Sequence, residues 1–115
     1  VQHSAIRCFQ DSEYSNLGFE IKEDLSHCDI IMGIKEVPID MLMPNKTYLF
    51  FSHTIKKQPY NKKLLQAVLE KKIRLIDYEV LKDRLGNRLV AFGRFAGIVG
   101  AYNGLWTYGK KTNLF

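Results

Sequence analysis

Four compact apolar runs constrain this chain most: CDIIMGI (28–34), KTYLFFSH (46–53), IRLIDYEVL (73–81) and RLVAF (88–92). Each is too short for a buried helix and is bounded by turn-forming or charged residues, so each reads as a strand. The first two lack apolar/polar alternation, the signature of strands covered on both faces. Between the second and third lies KKLLQAVLEKK (62–72), where Leu64, Leu65, Val68 and Leu69 share one helical face and the lysines the other. Asn61 stands where a cap is needed. Strands alternating with helices predict an α/β layer structure with a mainly parallel sheet.

The remaining elements are weaker. QDSEYSNLG (10–18) reads as a short helix capped by Asp11 or Ser12 and ended by Gly18. FEIKEDL (19–25) is a loop or short extended piece, and Pro38 and Pro44 punctuate the connection after the first strand. KDRLGN (82–87) is a turn, with Gly86 and Asn87 suited to positive φ. GRFAGIVGAYNGLWTYGKK (93–111) predicts a long helix. Its Gly93, Gly97, Gly100 and Gly104 fall on one face, a stripe that lets another backbone come close. The spacing is wrong for the G-x-G-x-x-G dinucleotide fingerprint.

With 115 residues, 46% hydrophobic and 25% charged, the chain fits one globular domain with a real core. No apolar run approaches a bilayer span and nothing resembles a secretory signal. The first residue is Val1 rather than Met, so a piece of a longer protein is expected. The net charge of +5 comes largely from lysine pairs, Lys56-Lys57, Lys62-Lys63, Lys71-Lys72 and Lys110-Lys111. Anionic partners suit such charge, but most pairs read as solvated surface, and no nucleic-acid-binding signature accompanies them. Cys8 and Cys28 form no CxxC and read as free thiols, and with His3 and His27 they match no zinc spacing, so no metal site is expected.

Parallel sheets gather ligands at the carboxyl ends of their strands. Lys35 and His53 each follow a predicted strand, and Glu79 lies near the end of a third. Three such ends can converge on one cleft. An ammonium can bind a carboxylate or polarise a carbonyl, and an imidazole can pass protons near neutral pH. Glu36 and Glu79 suit a substrate ammonium; Lys56 and Arg88 suit substrate carboxylates. From spacing alone, two readings stand: catalytic groups at a cleft, or surface residues where strands stop.

MGIKEVP, KTYLFFSHTIKKQ, IRLIDYE and RLVAFGRFAGIVGAYNGL occur in an order that resembles the N-terminal domain of the alanine dehydrogenase and pyridine nucleotide transhydrogenase superfamily, in particular its lysine-ketoglutarate reductase (saccharopine-forming) type. The resemblance implies a Rossmann-like or flavodoxin-like three-layer domain, here without its first strand and without a substrate-binding arginine near the start. It also implies a second, nucleotide-binding domain outside this chain that holds NADPH or NADH. Lys35 of G-x-K-E and His53 of F-[SA]-H match the acid-base and substrate-polarising pair. Glu36, Lys56, Gln58 and Glu79 match substrate-site positions, and Arg88 matches a basic one after the turn. The implied reaction is reductive condensation of the lysine ε-amine with 2-oxoglutarate; two cations close together would each lower the other's pKa.

Implied partners are an amino acid, a 2-oxo acid, the nucleotide domain and further copies of the chain, with no nucleic acid or membrane. The compartment is cytoplasmic for a bacterial source and mitochondrial for an animal one. An alanine dehydrogenase-like enzyme and a non-catalytic amino-acid- or keto-acid-binding domain are the competing readings. The fragment by itself is expected to be inactive.

Overall fold

The computed structural model describes residues 1–114. Two compact units divide the chain, Val1–Tyr78 and Glu79–Phe115. The first is α/β, as expected. It contains α1 (Asp11–Asn16), β1 (Ile30–Lys35), β2 (Thr47–Phe51), α2 (Lys62–Glu70) and β3 (Arg74–Asp77), with 3-10 turns at Ile39–Met41, Thr54–Lys56 and Pro59–Asn61. The strands form an all-parallel sheet in the order β1-β2-β3.

The central strand organises the core. Tyr48 and Phe50 project from the same face of β2, meet edge to face at 6.2 Å, and pack with Leu42, Leu64, Ala67, Val68 and Ile73. Phe50 is fully buried, and the Tyr48 hydroxyl accepts the Met43 N–H at 2.9 Å, so no polar atom of that ring is stranded. The inward face of α2 is Leu64, Ala67 and Val68, whereas Leu65 and Leu69 are exposed. The buried face of α2 thus differs from the expected one, with Ala67 in the Tyr48 and Phe50 cluster in place of Leu65 and Leu69. Lys71 is not simply solvated: its ammonium donates to the carbonyls of Ile39 at 2.8 Å and Leu42 at 2.6 Å, tying the helix end to the β1–β2 connection.

Two local expectations are corrected. α1 begins one residue earlier than its expected caps. Gln10 is the N-cap and its N–H donates to Glu13 Oε2 at 2.6 Å, while Asp11 instead accepts from Arg7 and His3. Gly18, with φ +85°, ends the helix as expected. β1 is not covered on both faces: Ile30, Met32 and Ile34 are 61%, 70% and 74% exposed, and only Ile31 and Val37 pack toward the core. β1 is the outer strand of this three-stranded sheet.

In the second unit the expected turn forms around Asp83, which accepts the N–H groups of Leu85 (2.9 Å) and Asn87 (2.8 Å) and the Asn87 side-chain amide (2.9 Å). Gly86 takes positive φ; Asn87 does not. RLVAF forms no strand. Its single bridge, Lys82 with Arg88, is antiparallel and stops there, since a two-stranded pairing with no packed face does not persist. The long helix is present as α3 (Gly93–Thr112). Its apolar residues, among them Phe95, Ile98, Tyr102, Leu105 and Trp106, are exposed, and apart from the helix's own backbone and adjacent residues no described atom lies within 4 Å of where a Cβ on Gly93, Gly97, Gly100 or Gly104 would stand. Among the described residues, no helix is long and apolar enough to cross a membrane.

Candidate active site

Because the sheet is all parallel, the carboxyl ends of β1, β2 and β3 lie along one edge. Lys35 is the last residue of β1 and stands opposite Phe51 of β2. The ladder is irregular just before it, between Met32 and Lys35, where Gly33 and Ile34 break the one-to-one register. Such a bulge turns the following side chain relative to the strand, a device common at sheet edges beside functional groups. Lys35 and Glu36 are both exposed beyond it.

β2 ends at Phe51, and the chain turns sharply through Ser52 and His53. His53 has φ 57° and ψ 8°, the left-handed conformation that a residue with a Cβ adopts only at a cost. Buried polar groups on either side hold it there. The Ser52 hydroxyl donates to the carboxylate of Asp77, the last residue of β3, and the Ser52 N–H points to the same carboxylate at 3.4 Å. Ser52 Oγ accepts the Thr54 N–H at 3.1 Å and lies 2.8 Å from Thr54 Oγ1. On the other side, the Asn61 side-chain amide donates to the His53 carbonyl at 3.1 Å. Asn61 does stand at the N-cap position of α2, but its side chain makes no cap bond.

The half-buried imidazole of His53 stacks on the Phe51 ring, centroids 6.4 Å apart and planes at 16°. Phe51 also meets Tyr78 edge to face at 5.2 Å. The Lys56 ammonium lies 3.1 Å from His53 Nδ1. An ammonium can only donate, so this bond uses the Nδ1 lone pair and leaves Nε2 as the nitrogen facing away from Lys56. Lys56, expected as a substrate group, is thus a direct partner of the histidine.

Gln58 accepts the Tyr60 hydroxyl and, with Thr54, Lys57, Asn61 and Lys62, lines a hollow of about 270 Å³ beside the turn. A larger hollow of about 560 Å³ runs along β1, lined by Arg7, Cys28, Ile30 and Met32 among others; Lys35 and His53 do not line it. Glu79 and Arg88 belong to the second unit, where Glu79 is buried and Arg88, exposed, sits in the bridge to Lys82. The structure therefore gathers Lys35, His53 and Lys56 at one sheet edge, with Glu36 and Gln58 in the adjoining segments. Chemically this is an electropositive edge with one group able to pass protons, suited to a carboxylate-bearing carbonyl substrate.

Sequence reasoning passed over Ser52, Asp77 and the use made of Asn61. Ser52 and Asp77 lie 25 residues apart, and the only signal was a small hydroxyl residue before the histidine and an acidic residue at the end of an apolar run. Cys8 and Cys28 are free, Cys28 Sγ lies 3.5 Å from His27 Nε2, and among the described residues no group of His, Cys, Asp or Glu is placed to hold a metal.

Comparison with known proteins supplies the context. The chain is 48% identical over 111 residues to the mitochondrial alpha-aminoadipic semialdehyde synthase of Bos taurus, covering 96% of this chain and 12% of that protein. It is 42% identical over 111 residues to the alpha-aminoadipic semialdehyde synthase of Arabidopsis thaliana, with 96% and 10% covered. It is 34% identical over 107 residues to the saccharopine dehydrogenase [NAD(+), L-lysine-forming] of Schizosaccharomyces pombe, with 88% and 29% covered. The chain thus spans a small part of the length of each of these relatives. Residues 1–99 match the family described as alanine dehydrogenase/PNT, N-terminal domain, and the chain belongs to that family.

Proposed function

We propose that this chain is the substrate-binding catalytic domain of a nicotinamide-dependent amino-acid oxidoreductase of the lysine-ketoglutarate reductase type, which condenses lysine with 2-oxoglutarate to saccharopine. The observation that carries this reading is the placing of Lys35 at the end of β1 and of the Lys56-bonded His53 just after the adjacent end of β2. The names of the similar proteins support the substrate class.

In this reading the Lys35 ammonium binds the keto acid and stabilises negative charge that develops on its carbonyl oxygen. The lysine ε-amine attacks the keto carbon, the carbinolamine loses water, and the carbon–nitrogen double bond forms. With Nδ1 accepting from Lys56, neutral His53 carries its proton on Nε2 and acts first as a donor. Nε2–H protonates the carbonyl oxygen, and later the departing hydroxyl, while Nδ1 draws a proton from Lys56. Each time Nε2 then takes a proton from the substrate nitrogen and the Lys56 ammonium is restored, so both amine protons leave in the water. Lys56 fixes the imidazole through Nδ1 for both transfers. Glu36 takes a substrate amine, and Gln58 a substrate carboxylate.

The described residues do not fit a nicotinamide dinucleotide. The glycines of α3 lack the fingerprint spacing and follow no strand, since RLVAF forms none. NADPH or NADH, which supplies hydride, therefore belongs to a separate nucleotide-binding domain, and the domain described here is the substrate half. In an animal source the compartment is mitochondrial, as the name of the bovine relative says of that protein.

The test is NADPH or NADH oxidation by the full-length protein with lysine plus 2-oxoglutarate, comparing wild type with His53→Ala. Turnover that collapses in the variant supports the reading. Turnover with alanine and pyruvate instead moves the enzyme to the alanine dehydrogenase type. Lysine binding without turnover of any amino and keto acid pair leaves a binding domain.

A further inference from the structure

We infer that Asn61, together with the Ser52–Thr54–Asp77 group, positions the catalytic imidazole: these residues set where His53 points by holding its backbone left-handed. This inference rests on the proposed role of His53.

The first observation is the partner of the Asn61 side chain. Asn61 ends the 3-10 turn Pro59–Asn61 that runs directly into α2, and its helical φ of −82° and ψ of −8° leave its side chain out of the capping geometry. The amide instead reaches back eight residues to the His53 carbonyl. A buried asparagine whose side-chain amide is committed to another segment ties that segment to the start of the helix.

The second observation is the burial of the parts. Ser52 is 0%, Asn61 5% and Asp77 7% exposed, so water does not compete for these hydrogen bonds and each carries directional weight. The carbonyl of His53 is fixed from α2, and the residue before it is fixed from the end of β3. The peptide after residue 53 is held at both ends, its carbonyl by Asn61 and its N–H by Ser52 Oγ, and Ser52 is itself anchored to Asp77, so the turn about residue 53 is restrained and the direction of its Cβ follows. The Phe51 ring and the Lys56 ammonium then bear on the rotamer of the imidazole itself. None of the four positioning residues is required to touch a substrate.

The experiment uses the full-length protein carrying Asn61→Ser or Asn61→Ala, with crystal structures and steady-state kinetics. Serine keeps a polar side chain, and neither serine nor alanine is long enough to reach the His53 carbonyl. The expected result is a folded variant whose residue 53 has left the positive-φ region, whose imidazole has separated from Lys56, and whose kcat has fallen by about 100-fold with little change in KM. A purely structural role predicts that activity tracks the folded fraction and that the folded molecules keep wild-type kcat, and that outcome overturns the inference. A fall in kcat with residue 53 unmoved overturns it too. Thr54→Val, nearly isosteric, loosens the same turn from its other side and decides the matter if both Asn61 variants fail to fold; it should show the same separation of kcat from KM. Should the wild type turn over no amino and keto acid pair, the functional reading fails, while the conformation of residue 53 in the variants still upholds or overturns the positioning role.

Discussion

The left-handed backbone at His53 makes a prediction that separates two effects of one residue. His53→Gly and His53→Ala both remove the imidazole, so both lose its stacking on Phe51 and its bond to Lys56. They differ in the backbone. At φ 57° a Cβ crowds the following carbonyl, a strain that glycine lacks. That strain is about 1–2 kcal/mol, and the extra freedom of glycine in the unfolded chain returns about 0.4–1 kcal/mol, which leaves glycine the more stable by roughly 0.5–1 kcal/mol. The readout should report the first unit by itself, so amide hydrogen exchange of β2, followed by mass spectrometry, is the suitable assay. Exchange in β2 should be about two- to fivefold slower in His53→Gly than in His53→Ala. Both variants should lack reductase turnover, so the more stable protein is as inactive as the less stable one. Equal protection in the two, or better protection in the alanine variant, would refute the reasoning. It would mean that residue 53 is not held left-handed in solution, and the positioning argument would lose its foundation.

Other outcomes follow from the same structure. Phe50→Ala removes a fully buried ring at the centre of the sheet and should destabilise the first unit by about 3–5 kcal/mol, read as a lowered denaturation midpoint. Lys35→Met keeps the length of the side chain but not its charge, and should lower kcat of the full-length enzyme by about 100-fold or more without altering β2 exchange. Asp83 is held below the usual carboxylate range by the Asn87 side-chain amide first, and then by backbone N–H groups of Asn87, Leu85 and Gly86. Its contribution to the turn is therefore complete above the ordinary aspartate pKa of about 3.9 and is lost as pH falls through the lowered value in the folded chain. The Leu85 and Asn87 amide resonances should move in that acid window, and Asp83→Asn should abolish the movement.

The parts legible in the amino-acid sequence are those governed by neighbours along the chain. The apolar runs at β1, β2 and β3, the amphipathic α2, the turn at Gly86 and the long α3 each announce themselves through composition and period over a few residues. The strand-end placement of Lys35 and His53 follows from those runs, because a parallel sheet sends its carboxyl ends to one edge. Local pattern could not tell what packs on each face of β1, so Ile30, Met32 and Ile34 were read as covered when they are exposed. RLVAF has strand composition but no neighbouring strand to complete a sheet, and composition cannot supply one.

The sequence by itself determined the fold class, the central strand and the identity of the groups at its end, because hydrophobic period and turn chemistry act locally. Tertiary structure decided what those groups do to one another. Asn61 looks like a helix cap until the fold brings the His53 carbonyl to its amide, and Ser52 and Asp77 have no relation until parallel pairing sets the ends of β2 and β3 side by side. The aim of a side chain depends on hydrogen bonds between segments far apart in the chain, and those bonds exist only once the core around Tyr48 and Phe50 has fixed the segments in place.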